Sequence, residues 1–303
     1  MLYNYGSINL DHVYRVSHLV RPGETLASHE HRVGLGGKGA NQSLALAKAG
    51  GQVQHWGCLN AQDGWARELL QDAGVDVAGV KQVPGPSGHA IIQVDDSAEN
   101  AILLFPGANH HFKAEDIAEL MQACSAGDWL LLQNECSVLA DSIQLAHQRG
   151  VQIAFNPAPM SDDVKRLPLH LVDLLFVNRG EAAWLAECED DASAETLLDA
   201  LAQQLPTTAL VLTLGAEGAW YQHGDQRHFQ PASSVKAVDT TAAGDTFIGY
   251  YLAAMQEQAS VAECLALAST AAALGVQRQG AATSVPARHE VDSALSSGQH
   301  QIR

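Results

Sequence analysis

Lysine is scarce in this 303-residue chain: Lys38, Lys48, Lys81, Lys113, Lys165 and Lys236 are all of them. Basic residues number 17 against 34 acidic ones, a formal net charge of −17. Nucleic-acid backbones are held by clustered lysine and arginine, so this balance excludes nucleic acid as a partner. Close cysteine pairs are also missing. Cys58, Cys124, Cys136, Cys188 and Cys264 are scattered, with no CxxC among them. Zinc ligation needs nearer neighbours, so these read as reduced, mostly buried thiols. No apolar run approaches the roughly 18 residues of a membrane helix. At the N-terminus, Asn4, Asn9, Asp11 and Arg15 interrupt any signal-peptide core. The expectation is a cytoplasmic chain with no membrane partner.

What is present is apolar content, 47% of residues, in a chain long enough for a sizeable core. Short β-rich runs alternate with helical patterns. Strands are expected at 2–8, 53–59, 129–133, 151–155, 172–177 and 209–214. Helices are expected at 38–49, 63–73, 138–149, 180–187, 194–204, 244–256 and 261–276. Near-continuous apolar strands alternating with helices imply a three-layer α/β/α fold around a mostly parallel sheet. Residues 11–33 and 88–105 break this rhythm without a helical pattern. They are read together as a small β lid, and 1–10, 34–87 and 106–303 as the core. The tail 293–303 is polar and expected to fray.

The densest chemical signal is Asp239-Thr240-Thr241-Ala242-Ala243-Gly244-Asp245-Thr246-Phe247. Small residues before a helix leave its first N–H groups free to face an anion, and the helix dipole favours negative charge there. Asp245, at the helix start, is placed to take a proton from a hydroxyl. Alone, the string also fits an ordinary capped helix. A second signal is Gly34-Leu35-Gly36-Gly37-Lys38-Gly39-Ala40-Asn41-Gln42. Its glycines permit close backbone approach, and Lys38 and Asn41 lie one helical turn apart. Read alone, it is equally a flexible loop. His29 with His31 and His110 with His111 lack metal-site partners and read as solvated.

Together the two segments resemble the paired signatures of the ribokinase (PfkB) family of carbohydrate kinases, in the right order and separation. The resemblance covers nearly the whole chain and implies the ribokinase-like fold with a β lid. It implies ATP-dependent phosphorylation of the exocyclic hydroxyl of a pentose, D-ribose first. Other small substrates of the family are alternatives: a nucleoside, a ketohexose phosphate or a keto-deoxy sugar acid. A non-catalytic sugar sensor is the alternative of another class.

Carried over by position, the resemblance implies Asp245 as base, with Ala242, Ala243 and Gly244 around the transferring phosphoryl group. Asn9, Asp11, Gly37, Lys38, Asn41, Glu135 and Asp245 would hold the sugar. Asn178, Thr213, Gly215, Gly218, Gly244 and Ser269 would lie along ATP. Glu181, in Asn178-Arg179-Gly180-Glu181, would place Mg2+. Asp239, Thr241, Gly275, Arg278, Gly280 and Ser284 would surround K+, chiefly through backbone oxygens. Homodimerisation through the lid is also implied. One motif departs: Asn60-Ala61-Gln62-Asp63-Gly64 stands where the family often has Gly-x-Asp-x-x-Gly.

Overall fold

The computed structural model describes residues 1–97 and 99–297. The first strand, β1 (Leu2–Tyr5), is followed directly by β2 (Asn9–Arg15) and β3 (Glu30–Gly36), then by helix α1 (Lys38–Lys48). Next come β4 (Val53–Leu59), α2 (Gly64–Asp72), β5 (Asp76–Gln82), β6 (Gly88–Val94) and β7 (Asn100–Phe105). The chain continues with α3 (Ala114–Leu120), β8 (Trp129–Gln133), α4 (Leu139–Gln148), β9 (Gln152–Asn156), β10 (Leu174–Asn178), α5 (Arg179–Ala186) and α6 (Ala194–Gln204). It closes with β11 (Ala209–Thr213), β12 (Gly218–His223), β13 (Gln226–Pro231), α7 (Ala243–Gln256), α8 (Val261–Gly275) and α9 (Arg288–Ser296).

Nine strands form the large sheet in the order β13-β12-β11-β10-β9-β8-β1-β4-β5. The strands from β11 to β5 are parallel, and β12 and β13 add an antiparallel edge. Each face carries its own apolar cluster. On one face Leu2, Leu131, Phe176 and Val211 meet Leu44, Tyr250, Leu252 and Leu267 of the helices. On the other, Tyr5, Leu130, Leu132 and Leu210 meet Ile117, Ile143, Leu185 and Leu198. Burial on both faces explains why these strands read as continuous apolar runs.

The other two stretches combine into one four-stranded sheet, order β3-β2-β6-β7. At its base the hydroxyl of Ser87 donates to Asp63 Oδ2 at 2.6 Å and accepts the N–H of Asn60 at 2.8 Å. The departing Asn60–Asp63 motif thus fastens a core loop to the start of β6.

Several expectations need correction. The first strand ends at Tyr5 rather than residue 8, because Asn9 already pairs with Gly36 and Gly88 in the small sheet. Sequence reading missed β5, β12 and β13. The last two form the antiparallel end of the sheet, where polar residues (buried Gln222, and the exposed or half-exposed His223, Arg227 and His228) interrupt any apolar run. Ser293–Ser296 of the expected frayed tail lies in α9, and 298–303 fall outside the described residues. His31 is exposed, as expected, and its ring also stacks with those of Tyr14 and His12, with centroids at 4.4 and 5.5 Å.

Candidate active site

The carboxyl ends of the parallel strands bring the polar side chains together. Ser7 and Asn9 follow β1, Glu135 follows β8, and β9, β10 and β11 end in Asn156, Asn178 and Thr213. Strand order reverses its direction of growth between β1 and β8. Ligands of open α/β sheets bind outside the carboxyl edge at such a point.

Two helices complete the site. Asp245, 7% exposed, stands in the first turn of α7. Asn41 Nδ2 donates to its Oδ2 at 3.2 Å, and Gln42 Nε2 to its Oδ1 at 2.9 Å. This meeting requires α1 and α7 to pack closely. Gly249, one turn along from Asp245, permits it: a Cβ there would lie 2.5 Å from Ala45 Cβ and 2.6 Å from the Leu46 nitrogen.

The start of α7 is built for an anion. Ala242 caps it in the left-handed region, φ 58°, a conformation that costs a non-glycine residue about 1–3 kcal/mol. The Ala243 N–H donates to the Thr240 carbonyl at 3.2 Å, so it is not free for a ligand. The N–H groups of Ala242, Gly244 and Asp245 have no acceptor among the described residues. Those three, with the helix dipole, can hold an anion. They open on a cavity of about 230 Å³, lined also by Lys38, Asn178, Glu181, Thr213, Asn156 and Phe176. Gly215, Gly218 and Ser269 do not line this cavity.

Beside the cavity lies a cluster of acids around one lysine. Burial first, then the charges of Glu135 and Asp245, push the Asp11 carboxyl up to about 7. Its carboxyl lies flat against β3, where a Cβ at Gly36 would come within 2.0 Å of Asp11 Oδ2. Glu135 Oε2 accepts the Lys38 N–H at 2.9 Å and the Ser7 hydroxyl, so it also holds the start of α1. Burial raises the Glu135 carboxyl, against the opposing pull of Ser7 and Lys38. Burial works to lower Lys38, yet Asp245, Glu135 and Glu181 hold its ammonium above the ordinary range. Gly37 is the N-cap of α1, φ 89°. Asn9 is buried and accepts from Asn109 Nδ2 at 2.7 Å, leaving its amide nitrogen to donate elsewhere. Asn41 Oδ1 is buried with no donor among the described residues.

The metal candidates divide. Asn178 and Glu181 form a reciprocal capping box on α5, each side chain accepting the other's backbone N–H at 2.9 Å. One Glu181 oxygen is committed there, and the carboxylate still lines the cavity. The donor set therefore fits a largely hydrated divalent ion held through one carboxylate. Asp239 bridges two loops, accepting the N–H of Thr241 and of Gly280 at 2.9 Å. Gly275 packs near the Ser284 carbonyl. The Arg278 guanidinium is turned to Glu290, 2.6 Å away, so Arg278 has only its carbonyl to offer. One carboxylate and several carbonyls fit a weakly hydrated monovalent cation.

Sequence reasoning missed Gln42, Gln133, Asn156, Asn109 and Ser7. Gln42 and Gln133 stand beside quoted motif residues, but a neutral amide carries no signal of its own.

A family model described as pfkB family carbohydrate kinase matches residues 1–288. A ribokinase of Haemophilus influenzae is 34% identical over 295 residues, covering 94% of this chain and 95% of that protein. A ribokinase of Schizosaccharomyces pombe is 36% identical over 311 residues, covering 96% of each. The solved structure of Arabidopsis thaliana ribokinase complexed with ribose and ATP superposes with a TM-score of 0.85. It has 29% identity and covers 97% of this chain and 98% of that one. The paired motifs, the α7 anion site and these matches have one common meaning: the chain belongs to the pfkB family of carbohydrate kinases.

Proposed function

We propose that the chain transfers the γ-phosphoryl group of ATP to O5 of D-ribose. One observation carries the reading: Asp245 stands in a helix N-terminus where three N–H groups have no acceptor among the described residues, next to Asn41 Oδ1, a buried acceptor with no donor among them. A hydroxyl placed there donates to Asn41 or Asp245 and faces a phosphoryl group held by α7. The ribokinase relatives, including one solved with ribose and ATP, support the choice of sugar and nucleotide.

Asn9, Asp11, Gly37, Lys38, Asn41 and Glu135 hold the sugar, with Asp11 accepting from a vicinal diol. Asp245 takes the O5 proton as the hydroxyl attacks. The N–H groups of Ala242, Gly244 and Asp245 stabilise charge on the equatorial phosphoryl oxygens. Asn178, Thr213, Gly215 and Gly218 line the path of the nucleotide, and Ser269 lies toward its base. Lys38 is the one lysine lining the cavity, too little charge for a triphosphate. Mg2+, held through Glu181, would neutralise phosphate charge when bound. K+ at Asp239, with the carbonyls of Thr241, Gly275, Arg278, Gly280 and Ser284, would stiffen the anion loop. The small sheet serves as the lid that excludes water.

A panel of sugars with coupled ADP detection, run with and without potassium, tests the substrate. D-Ribose is expected to give the highest kcat/KM, and a nucleoside, 2-deoxyribose or a sugar phosphate doing better would contradict it. The acids around Lys38 argue against a phosphorylated sugar.

Asp11 adds a pH dependence. With its carboxyl near 7, protonation on acidification removes an acceptor that the diol needs. The KM for ribose is expected to rise below pH 7, by up to roughly tenfold per unit, and Asp11→Asn to flatten that slope. Stability has the opposite sense. The folded state binds the extra proton between the unfolded and folded values, so stability falls as pH rises from about 4 to 7. A KM that is flat from pH 8 to 5.5 would contradict the assignment.

The lid also supplies the proposed dimer contact. Ile102, Leu103, Leu104 and Phe105 of edge strand β7 are 61, 68, 41 and 45% exposed. An apolar edge of this kind invites a second copy. Sedimentation is expected to give the dimer mass, and a monomer at micromolar concentration would contradict it. Among the described residues no helix is long and apolar enough to cross a membrane. The ATP-rich, reducing cytoplasm is the proposed compartment, in keeping with five free cysteines.

A further inference from the structure

We infer that Gln42 is a positioning residue for the Asp245 carboxylate, and that a chain of buried neutral side chains fixes which way its amide points. This rests on the reading of Asp245 as the base. Gln42 is fully buried in the first turns of α1. Its Nε2 donates to Asp245 Oδ1 at 2.9 Å and to Asn156 Oδ1 at 3.3 Å. Its Oε1 accepts from Gln133 Nε2 at 2.7 Å.

An amide could be turned over without change of shape, so the question is what forbids the reverse orientation. Three backbone carbonyls do, because a carbonyl can only accept. On one side, Asn156 Nδ2 donates to the Phe176 carbonyl at 3.1 Å, which leaves Asn156 Oδ1 facing Gln42. On the other, Asn4 Nδ2 donates to the Gly39 carbonyl at 2.8 Å and to Ser43 Oγ at 2.7 Å. Asn4 Oδ1 is thereby left to accept from Gln133 Nε2 at 3.0 Å. Behind Ser43, His55 Nε2 faces the Gly6 carbonyl at 3.1 Å and so carries the proton. Its Nδ1, 2.8 Å from Ser43 Oγ, then accepts the hydroxyl proton. Burial pushes His55 down to about 4, partly offset by the Gly6 bond, so the ring is neutral at working pH. Every member of the chain therefore has one permitted orientation, and both branches aim a Gln42 N–H at Asp245.

The arrangement has a cost that a purely structural network would avoid. Gln133 Nε2 serves two acceptors, while Gln133 Oε1 is buried with no donor among the described residues. Turning Gln133 over would set its oxygen against two other oxygens. A buried acceptor is thus left unsatisfied in the orientation that keeps Gln42 pointed at the carboxylate. With Oδ1 held by Gln42 and Oδ2 by Asn41, the carboxylate plane is set before substrate arrives.

Two variants test this, measured beside wild type and Asp245→Asn with ribose and ATP. Gln42→Met keeps the volume but removes the N–H. Its kcat is expected to fall roughly 10- to 100-fold, the scale of a misaligned catalytic group, with the KM for ATP within about twofold, since Gln42 does not line the nucleotide cavity. Gln42→Glu places a second carboxyl 2.9 Å from Asp245, and the two must share a proton. The other charges facing Asp245, namely Lys38, Asp11, Glu135 and Glu181, are unchanged. The acid limb of its kcat–pH profile is expected to move to higher pH, a displacement that mere loosening would not produce. If Gln42→Glu does not fold, the kcat-against-KM split of Gln42→Met decides alone. Wild-type kcat in Gln42→Met, or an unmoved acid limb in folded Gln42→Glu, would overturn the inference while the Asp245 assignment stood. Near-normal turnover in Asp245→Asn would instead overturn the reading beneath both.

Discussion

Asp245→Asn is expected to bind ATP and ribose and to turn over at least roughly 10²-fold more slowly, the usual order for loss of a general base. The substitution keeps the shape and removes the proton acceptor. Its amide nitrogen would face either Gln42 or Asn41, and Asn41 can accommodate it. Asn41 Oδ1 has no donor among the described residues, so its amide can turn over and accept from the new N–H. The Gln42 contact to the remaining oxygen then persists. The pocket is therefore expected to keep its form, with ligand affinities within a few-fold by calorimetry and a melting temperature near wild type. A variant that loses binding together with turnover would mean that Asp245 shapes the site rather than carrying out proton transfer.

Gly244→Leu should be nearly as damaging, by a different route. No atom outside its neighbourhood in the helix lies within 4 Å of a Cβ built on Gly244. The position lines the cavity of about 230 Å³, in the first turn of α7. Folding therefore tolerates a side chain there, and leucine is a good helix former. In the proposed mechanism, the space it fills holds the transferring phosphoryl group against the N–H groups of Ala242, Gly244 and Asp245. Losing that contact is expected to lower kcat/KM for ATP by about 10²-fold or more, the scale of a removed anion-hole donor. Thermal unfolding should change little. Unaltered ATP kinetics in a folded Gly244→Leu would contradict the placement of the phosphoryl group.

The parallel core was legible in the sequence because burial on both faces writes an apolar run, as in Leu130-Leu131-Leu132 and Leu175-Phe176-Val177. The antiparallel end of the sheet was not, since the polar Gln222, Arg227 and His228 break the pattern, Arg227 and His228 while exposed or half-exposed. The site was legible where chemistry forces unusual residues: small residues before a helix, glycines around Lys38, a carboxylate at a helix start. The neutral amides were silent. The bonds that join Gln42 to Asp245, to Gln133 and to Asn156 span 91 to 203 positions, and no local pattern records such pairings. The left-handed Ala242 was silent too, because alanine gives no sign of the conformation its neighbours impose. Asn178 and Glu181 show the converse: the family resemblance implied ligand chemistry for them, and their spacing also makes a helix cap.

The segment from Asp239 to Thr246 remains the centre of the account: Asp245 for the proton, three N–H groups for the phosphoryl charge, Asp239 for the loop behind them. The most direct test is to incubate the chain with ATP, Mg2+, K+ and D-ribose and to locate the phosphate on the product by 31P and 13C NMR. The account predicts ribose-dependent ADP formation and phosphorus coupling at C5. Phosphate on another carbon, or ADP formation indifferent to ribose, would contradict it.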